Sequence, residues 1–395
     1  VIDPLLEYRD RFPILSHTNY LISNSLGAAP RAADDALHAY FDTWSTRGVR
    51  AWEEGWWTLA SDLGDLVAPL LGAGPGQIVF QPCVTIAHAV VLSALRPRAG
   101  KRKIVIDEGH FPSVLYSVGG LREQGFDVEV VPETDAGFFD TPRFLDAIDA
   151  QTSAVLACHV QFRTAEIIDV ASIAKRAREF DALTIIDGYQ AVGTIPIDVE
   201  SLHVDAYIGG CLKWLCGGPG TAFLWLASAR IRELNPTLSG WMAHRRPFAF
   251  EPKLDRRDDM WRFLHGTPNV PALFAARPGL ELIGAVGLES IRAKSLRQTD
   301  CLMALADARG WQTPTPRDHA RRGGTVALDV PNGLAVSRAL KAREILCDYR
   351  TGVGIRLSPH FYTRNDELDD AMCAVADTLK TRDWERFIES RSAVT

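Results

Sequence analysis

Leu183-Thr184-Ile185-Ile186-Asp187-Gly188-Tyr189-Gln190, and shortly after it Asp205-Ala206-Tyr207-Ile208-Gly209-Gly210-Cys211-Leu212-Lys213-Trp214, are the stretches from which the architecture is read. Each carries a short apolar run of the kind a buried strand needs, and each runs on into a polar residue, Asp187 in one and Lys213 in the other. Ligands of open parallel sheets sit outside the carboxyl ends of the strands, so both residues fall where chemistry is done. Taken singly, each has a bland reading. A carboxylate at a strand end caps helices and turns, and a lysine after a strand is usually a solvated charge. Lys213, however, sits among Leu212, Trp214 and Leu215. Desolvation lowers the pKa of an ammonium in such company and favours the neutral, nucleophilic amine. A strand-end Asp followed by a strand-end Lys suits pyridoxal phosphate. The lysine forms a Schiff base, and the carboxylate keeps the pyridine nitrogen protonated so that the ring draws electrons.

On either side, short Val- and Ile-rich runs alternate with helical patterns. Ile78–Phe80, Lys103–Ile106, Val128–Val131, Ala154–Ala157, Ala206–Gly209 and Thr221–Leu226 read as strands beside Leu183–Ile186. Ala87–Leu95, Ser113–Gln124, Pro142–Ala150 and Val170–Phe180 read as the helices between them. This alternation predicts an α/β protein with a mostly parallel seven-stranded sheet between helices. Upstream, Trp52–Leu71 reads as one amphipathic helix. Downstream of Pro278 the texture changes to a long helix from Gly279 to about Arg309, then short strands and a final helix from Asp366. The expected organisation is an N-terminal segment at 1–48 that packs with the small domain, a large cofactor-binding domain at 49–278, and a small α+β domain at 279–395.

Several motifs, in order along nearly the whole chain, resemble fold-type I enzymes of the class-V aminotransferase group. They are Asp187-x-x-Gln190, Ile195-Pro196-Ile197-Asp198, Asp205, Lys213 and Gly217-Gly218-Pro219-Gly220. Asn24-Ser25-Leu26-Gly27, Phe111-Pro112-Ser113, Gly240-Trp241-Met242-Ala243-His244, the Phe263–Pro268 loop and Arg356-x-x-Pro359 resemble the kynureninase branch of that group.

The resemblance implies that Lys213 carries the cofactor and that Val84 and Thr85 cradle its phosphate. Phe111 would stack on the pyridine, Asp187 would pair with its nitrogen, and Gln190 would meet the phenolate side. Trp241 and Thr267 would reach the phosphate from a partner subunit, which implies a homodimer. Arg356 would clamp the substrate carboxylate, with Asn24 and Ser25 opposite and His244 at the substrate side chain. The pattern breaks at Leu212, where kynureninases carry tyrosine, and at Gln190, where they usually carry histidine. The reaction expected is cleavage at the β-carbon of an α-amino acid. The alternatives are an aminotransferase, a desulfurase-like C–S β-lyase, a decarboxylating deaminase of lincosamide-type pathways, or a non-catalytic relative.

Composition bounds the partners. The 395 residues carry 43 lysines and arginines against 49 acidic residues, a net charge of -6, so the basic excess of a nucleic-acid binder is missing. The 7 cysteines stand singly, without zinc-ribbon spacing. The opening Val1-Ile2-Asp3-Pro4 lacks a signal-peptide pattern, and no apolar run reaches the roughly 20 residues of a membrane span. A cytoplasmic protein with a small-molecule amino-acid substrate, and neither nucleic acid nor membrane as partner, is therefore expected.

Overall fold

The structure is a computed structural model that describes residues 3–388. A short strand β1 (Asn19–Tyr20) precedes helices α1 (Ala32–Arg47) and α2 (Leu59–Val67). Strand and helix then alternate through β2 (Ile78–Gln81), α3 (Val84–Leu92), β3 (Lys103–Asp107), α4 (Pro112–Gly119), β4 (Asp127–Val131) and α5 (Thr141–Asp146). The alternation continues through β5 (Thr152–Cys158), α6 (Val170–Glu179), β6 (Leu183–Asp187), α7 (Val199–Leu202) and β7 (Ala206–Gly210). β8 (Ala222–Leu226) closes this run, ahead of α8 (Ser228–Glu233).

These strands form the expected seven-stranded sheet, in the order β2-β8-β7-β6-β5-β3-β4. β8 runs antiparallel to β2 and β7, and the remaining pairs are parallel. Every residue of β6, β7 and β8 is buried, which is why these strands read as continuous apolar runs rather than alternating ones.

Two long helices differ from the sequence expectation. Only Leu59–Val67 of the Trp52–Leu71 stretch is α-helical, between 3-10 turns at Gly48–Trp52 and Ala68–Leu71. Gly55, at φ +140°, interrupts one side, and Pro69, which has no amide hydrogen to donate, opens the turn on the other. The single helix expected after Pro278 is two: α9 (Val270–Val286) and α10 (Leu288–Asp307), bent 81° from each other. The break is at Gly287, whose φ of +82° no helical L-residue adopts. Pro278 lies inside α9, so the domain boundary expected there falls within a helix. The residues flanking it, Ala276, Leu280 and Ile283, belong to the large core.

The C-terminal part contains β9 (Val326–Leu328), α11 (Gly333–Lys341), β10 (Ile345–Leu346), β11 (Asp348–Arg350), β12 (Gly354–Leu357) and α12 (Asn365–Thr381). Its three-stranded antiparallel sheet has the order β11-β12-β9, and its own core includes Leu302, Val336, Ile355 and Leu368. The N-terminal segment is stitched to this part. β1 pairs in parallel with β10, Leu21 enters the smaller core, and Arg9 forks onto Glu367. Among the described residues, no single helix is long and apolar enough to cross a membrane.

Candidate active site

A cavity of about 310 Å³ opens beyond β5, β6 and β7, at their carboxyl ends. Nine of the residues singled out from sequence line it together: Asn24, Ser25, Val84, Thr85, Phe111, Asp187, Gln190, Lys213 and Arg356. They come from the N-terminal segment, four places in the large sheet layer and the small domain. Only the tertiary fold brings them to one place.

Lys213 lies three residues beyond β7, on a segment held from three directions. Gly27 N donates to Leu212 O at 2.9 Å, and the Trp214 indole N–H donates to Gln190 Oε1 at 2.8 Å. His360 Nε2 lies 2.8 Å from Trp214 O, and since a carbonyl only accepts, the imidazole donates. Burial pushes the Lys213 ammonium down to about 8; Arg356 and Arg350 act in the same direction, and Asp187 and Asp348 oppose them. Its Nζ sits 4.2 Å from the centroid of the Tyr189 ring, a residue that no sequence motif marks.

Asp187 ends β6 and is 7% exposed. Its Oδ1 accepts the Tyr189 amide at 2.9 Å, and its carbonyl accepts the amide of His159 at 2.8 Å. Gln190 spends its amide on scaffolding. Its Nε2 donates to Asn24 O at 2.9 Å while its Oε1 takes the Trp214 indole. Gln190 thereby ties the N-terminal segment to the lysine segment.

Arg356 on β12 is 2% exposed and its fork is engaged within the chain. Nε donates to Asp348 Oδ1 at 2.8 Å, Nη2 to Asp348 Oδ2, and Nη1 to the carbonyl of Phe162. Asp348 and Arg356 are cross-strand partners, and Arg350, two residues along β11, shares the face. Arg350 also lines the cavity, its Nη2 at 3.2 Å from Asp348 Oδ2. Along this wall the guanidiniums of Arg350 and Arg356 both meet the Asp348 carboxylate. Asp348 and Arg350 were not singled out from sequence. The signal was the Asp-x-Arg spacing on a strand that pairs with the Arg356 strand. Phe162, also unforeseen, meets Phe111 edge to face at 5.4 Å and gives the cavity an aromatic corner.

Three expected residues stand elsewhere in the chain. Trp241 is 39% exposed and packs on Trp57, Phe248 and Phe250. Thr267 is exposed beside a separate recess of about 180 Å³ with His265, Gly266 and Asn269. His244 is buried, and its ring is used locally: Nδ1 accepts the Arg246 amide at 2.8 Å and Nε2 lies 3.3 Å from Lys253 O. These side chains lie on the segment between β8 and α9, whose sequence distance from the sheet motifs says nothing about where it folds.

The cavity fits the cofactor implied by the sequence. The first amides of α3, at Val84 and Thr85, precede the helix's first internal bond, and the Cys83 side chain does not cap them, which leaves donors for an anion. The Asn24 side-chain amide is buried with both Oδ1 and Nδ2 unpaired among the described residues, an arrangement that a polar ligand would complete. Lys213 supplies an amine of lowered basicity and Asp187 a carboxylate for a ring nitrogen.

Comparisons with known proteins agree. The model of the aminotransferase class-V family matches residues 19–356. A kynureninase of Burkholderia pseudomallei (strain K96243) is 34% identical over 408 residues, spanning 100% of this chain and 97% of its own length. One from Pseudomonas fluorescens is 34% identical over 412 residues with the same coverage. Among solved structures, a cysteine desulfurase from Thermococcus onnurineus NA1 is similar in fold, with a TM-score of 0.84, 20% identity, and coverage of 96% of this chain and 99% of its own. A C-DES mutant with glycine covalently linked to its PLP cofactor has a TM-score of 0.85, 21% identity, and coverage of 93% and 99%. The chain therefore belongs to the class-V aminotransferase family, as a pyridoxal-phosphate-dependent enzyme similar to kynureninase.

Proposed function

We propose that this enzyme cleaves a bond at the β-carbon of an α-amino acid, with an aryl-ketone side chain of the kynurenine type as the substrate class. The observation that carries this reading is one cavity that joins Lys213 and Asp187 to a guanidinium wall and the Phe111–Phe162 corner. Bound pyridoxal phosphate supplies the electron sink that makes the substrate's α- and β-bonds labile. The chain supplies the rest. Asp187 holds the ring nitrogen, and the α3 amides with Thr85 hold the phosphate. Lys213 Nζ would take and return the α-proton, and its lowered basicity favours the neutral amine that this needs. Arg356 and Arg350 face the α-carboxylate, and Asp348 keeps Arg356 extended across the hairpin. The aromatic corner excludes water from an apolar side chain.

The test is release of anthranilate from kynurenine by the purified enzyme, followed by its fluorescence. The reading expects turnover that Lys213→Ala abolishes. Turnover of other amino acids with no anthranilate release would replace it. A desulfurase-like reaction through Cys347 is disfavoured, because that thiol is 3% exposed and burial raises its pKa well above the ordinary value.

The same reading includes a homodimer whose Trp241 and Thr267 complete the partner's phosphate site. The exposed Trp241, Phe248 and Phe250 support it, as an apolar patch that water would otherwise face. It also places the enzyme in a reducing, cytoplasmic compartment, a placement supported by seven free cysteines.

A further inference from the structure

Asp187 lies among buried ionisable groups that take no part in the proposed chemistry. The ligand-capable atoms of His88, His110 and Asp187 lie within 4.8 Å of one another, as do those of Asp107, His110 and Cys158. All five residues are buried. His110 follows β3 by three residues, and its Nδ1 lies 2.6 Å from Asp107 Oδ2, so Nδ1–H donates to the carboxylate. On α3, His88 Nδ1 lies 3.0 Å from Val84 O and must donate to it, which leaves Nε2 as the acceptor of a neutral ring. The Nε2 atoms of both histidines are buried and unpaired among the described residues. Two orphaned ring nitrogens, on histidines clustered with one carboxylate, are polar atoms that buried sites rarely leave unused.

Charge assigns the protons. Burial works against the His110 imidazolium, but Asp107 and Asp187 outweigh it and hold the pKa above that of ordinary histidine. Burial holds His88 below it, with the neighbouring His110 adding to the effect. Cys158, the remaining neighbour on β5, is kept as the thiol by burial and by the same two carboxylates. Of the two histidines, His110 is thus the one held toward its charged form, beside Asp107 and Asp187.

We propose that Asp107 and His110 form a positioning dyad for Asp187, with His110 Nε2–H aimed at the Asp187 carboxylate and neutral His88 as the adjoining acceptor. The dyad carries no net charge. It therefore orients Asp187 without cancelling the negative charge that a protonated ring nitrogen needs. Asp187 Oδ1 already accepts the Tyr189 amide; a charged imidazole within 4.8 Å adds an electrostatic restraint and leaves a lone pair for the ring. This inference rests on the reading that Asp187 meets the pyridine nitrogen of pyridoxal phosphate.

The test uses the full-length holoenzyme with His110→Gln and Asp107→Asn. Circular dichroism establishes that each variant folds. Two quantities are then measured: the pH midpoint of the visible band of the lysine-bound cofactor, and the cofactor's dissociation constant. His110→Gln leaves Asp107 unbalanced, so the site gains a negative charge and the midpoint moves up. Both variants should weaken retention by about tenfold, the lower end of what partners behind a direct ligand carry. A packing role alone would not move the midpoint. A folded His110→Gln with the wild-type midpoint and wild-type retention overturns the dyad. If that variant does not fold, Asp107→Asn decides: tenfold weaker retention supports the dyad and unchanged retention overturns it. A wild-type protein with no band dependent on Lys213 sinks the cofactor reading instead.

Discussion

Among single residues, the proposed chemistry turns on one amine. Lys213 is held near a pKa of about 8 chiefly by burial, and only its neutral form attacks an aldehyde. The apoprotein should therefore load pyridoxal phosphate faster as pH rises, half-maximally near pH 8, in a stopped-flow trace of the visible band. A loading rate flat across that range would mean that the amine is already neutral lower down. Arg356 gives the second prediction. It pairs with Asp348, which is fully buried, so Arg356→Met leaves that carboxylate without its main partner. Losing one member of a buried pair typically costs about 3–5 kcal/mol, and urea unfolding should register a loss of that order. Asp187 and Lys213 could be singled out in the sequence because each stands just beyond a strand run, and Arg356 because Arg356-x-x-Pro359 resembles a family motif. Tyr189 and Phe162 could not, because nothing local distinguishes them from ordinary loop residues, and the Asp-x-Arg spacing of Asp348 and Arg350 gains meaning only once their strand pairs with that of Arg356.

Among secondary-structure elements, strands and their order of appearance follow from apolar runs and turn residues. The breaks in helices were harder to read. Gly55 and Gly287 interrupt stretches whose apolar spacing continues past them, and only the backbone conformation shows that they stop the helix. Gly27 acts at the same level. A Cβ there would collide with Lys213 O and lie 3.0 Å from Cys216 Cα, so the N-terminal segment lies flush against the lysine segment. Gly27→Ala must push the two apart and break the Gly27 N–Leu212 O bond. Overpacking of this kind costs about 1–3 kcal/mol. Because it also shifts Asn24, turnover should fall further than the melting temperature suggests. A variant with normal kinetics and a normal melt would show that the contact is dispensable.

Across the molecule as a whole, the N-terminal segment, the large sheet and the small domain meet at one cavity. Arg9 with Glu367, and Lys294 with Asp3, pin the N-terminal segment to the later elements. Trp241 and Thr267 lie outside their own chain's cavity, so the proposed dimer predicts a solution mass of twice 43.5 kDa by analytical ultracentrifugation. Trp241→Glu, a charge placed in an exposed aromatic patch, should yield monomers with weakened cofactor retention. A wild-type monomer that retains the cofactor tightly would remove the partner's role.

Read alone, the sequence carries the alternating α/β architecture, the strand-end placement of Asp187 and Lys213, and the family. Strand runs, strand-end polar residues and ordered short motifs are local in the chain and survive without coordinates. Which side chains are free to meet a ligand, and which are already engaged, emerges only from tertiary packing. Gln190 turned out to be a tie between segments, Arg356 a partner of Asp348, and His110 a neighbour of Asp187. The physical reason is that hydrogen-bond and charge partners are chosen by proximity across long sequence separations, 166 residues for Gln190 and Asn24 and 194 for Arg356 and Phe162. No periodicity or composition encodes that proximity. It exists only once the sheet, the hairpin and the N-terminal segment have packed.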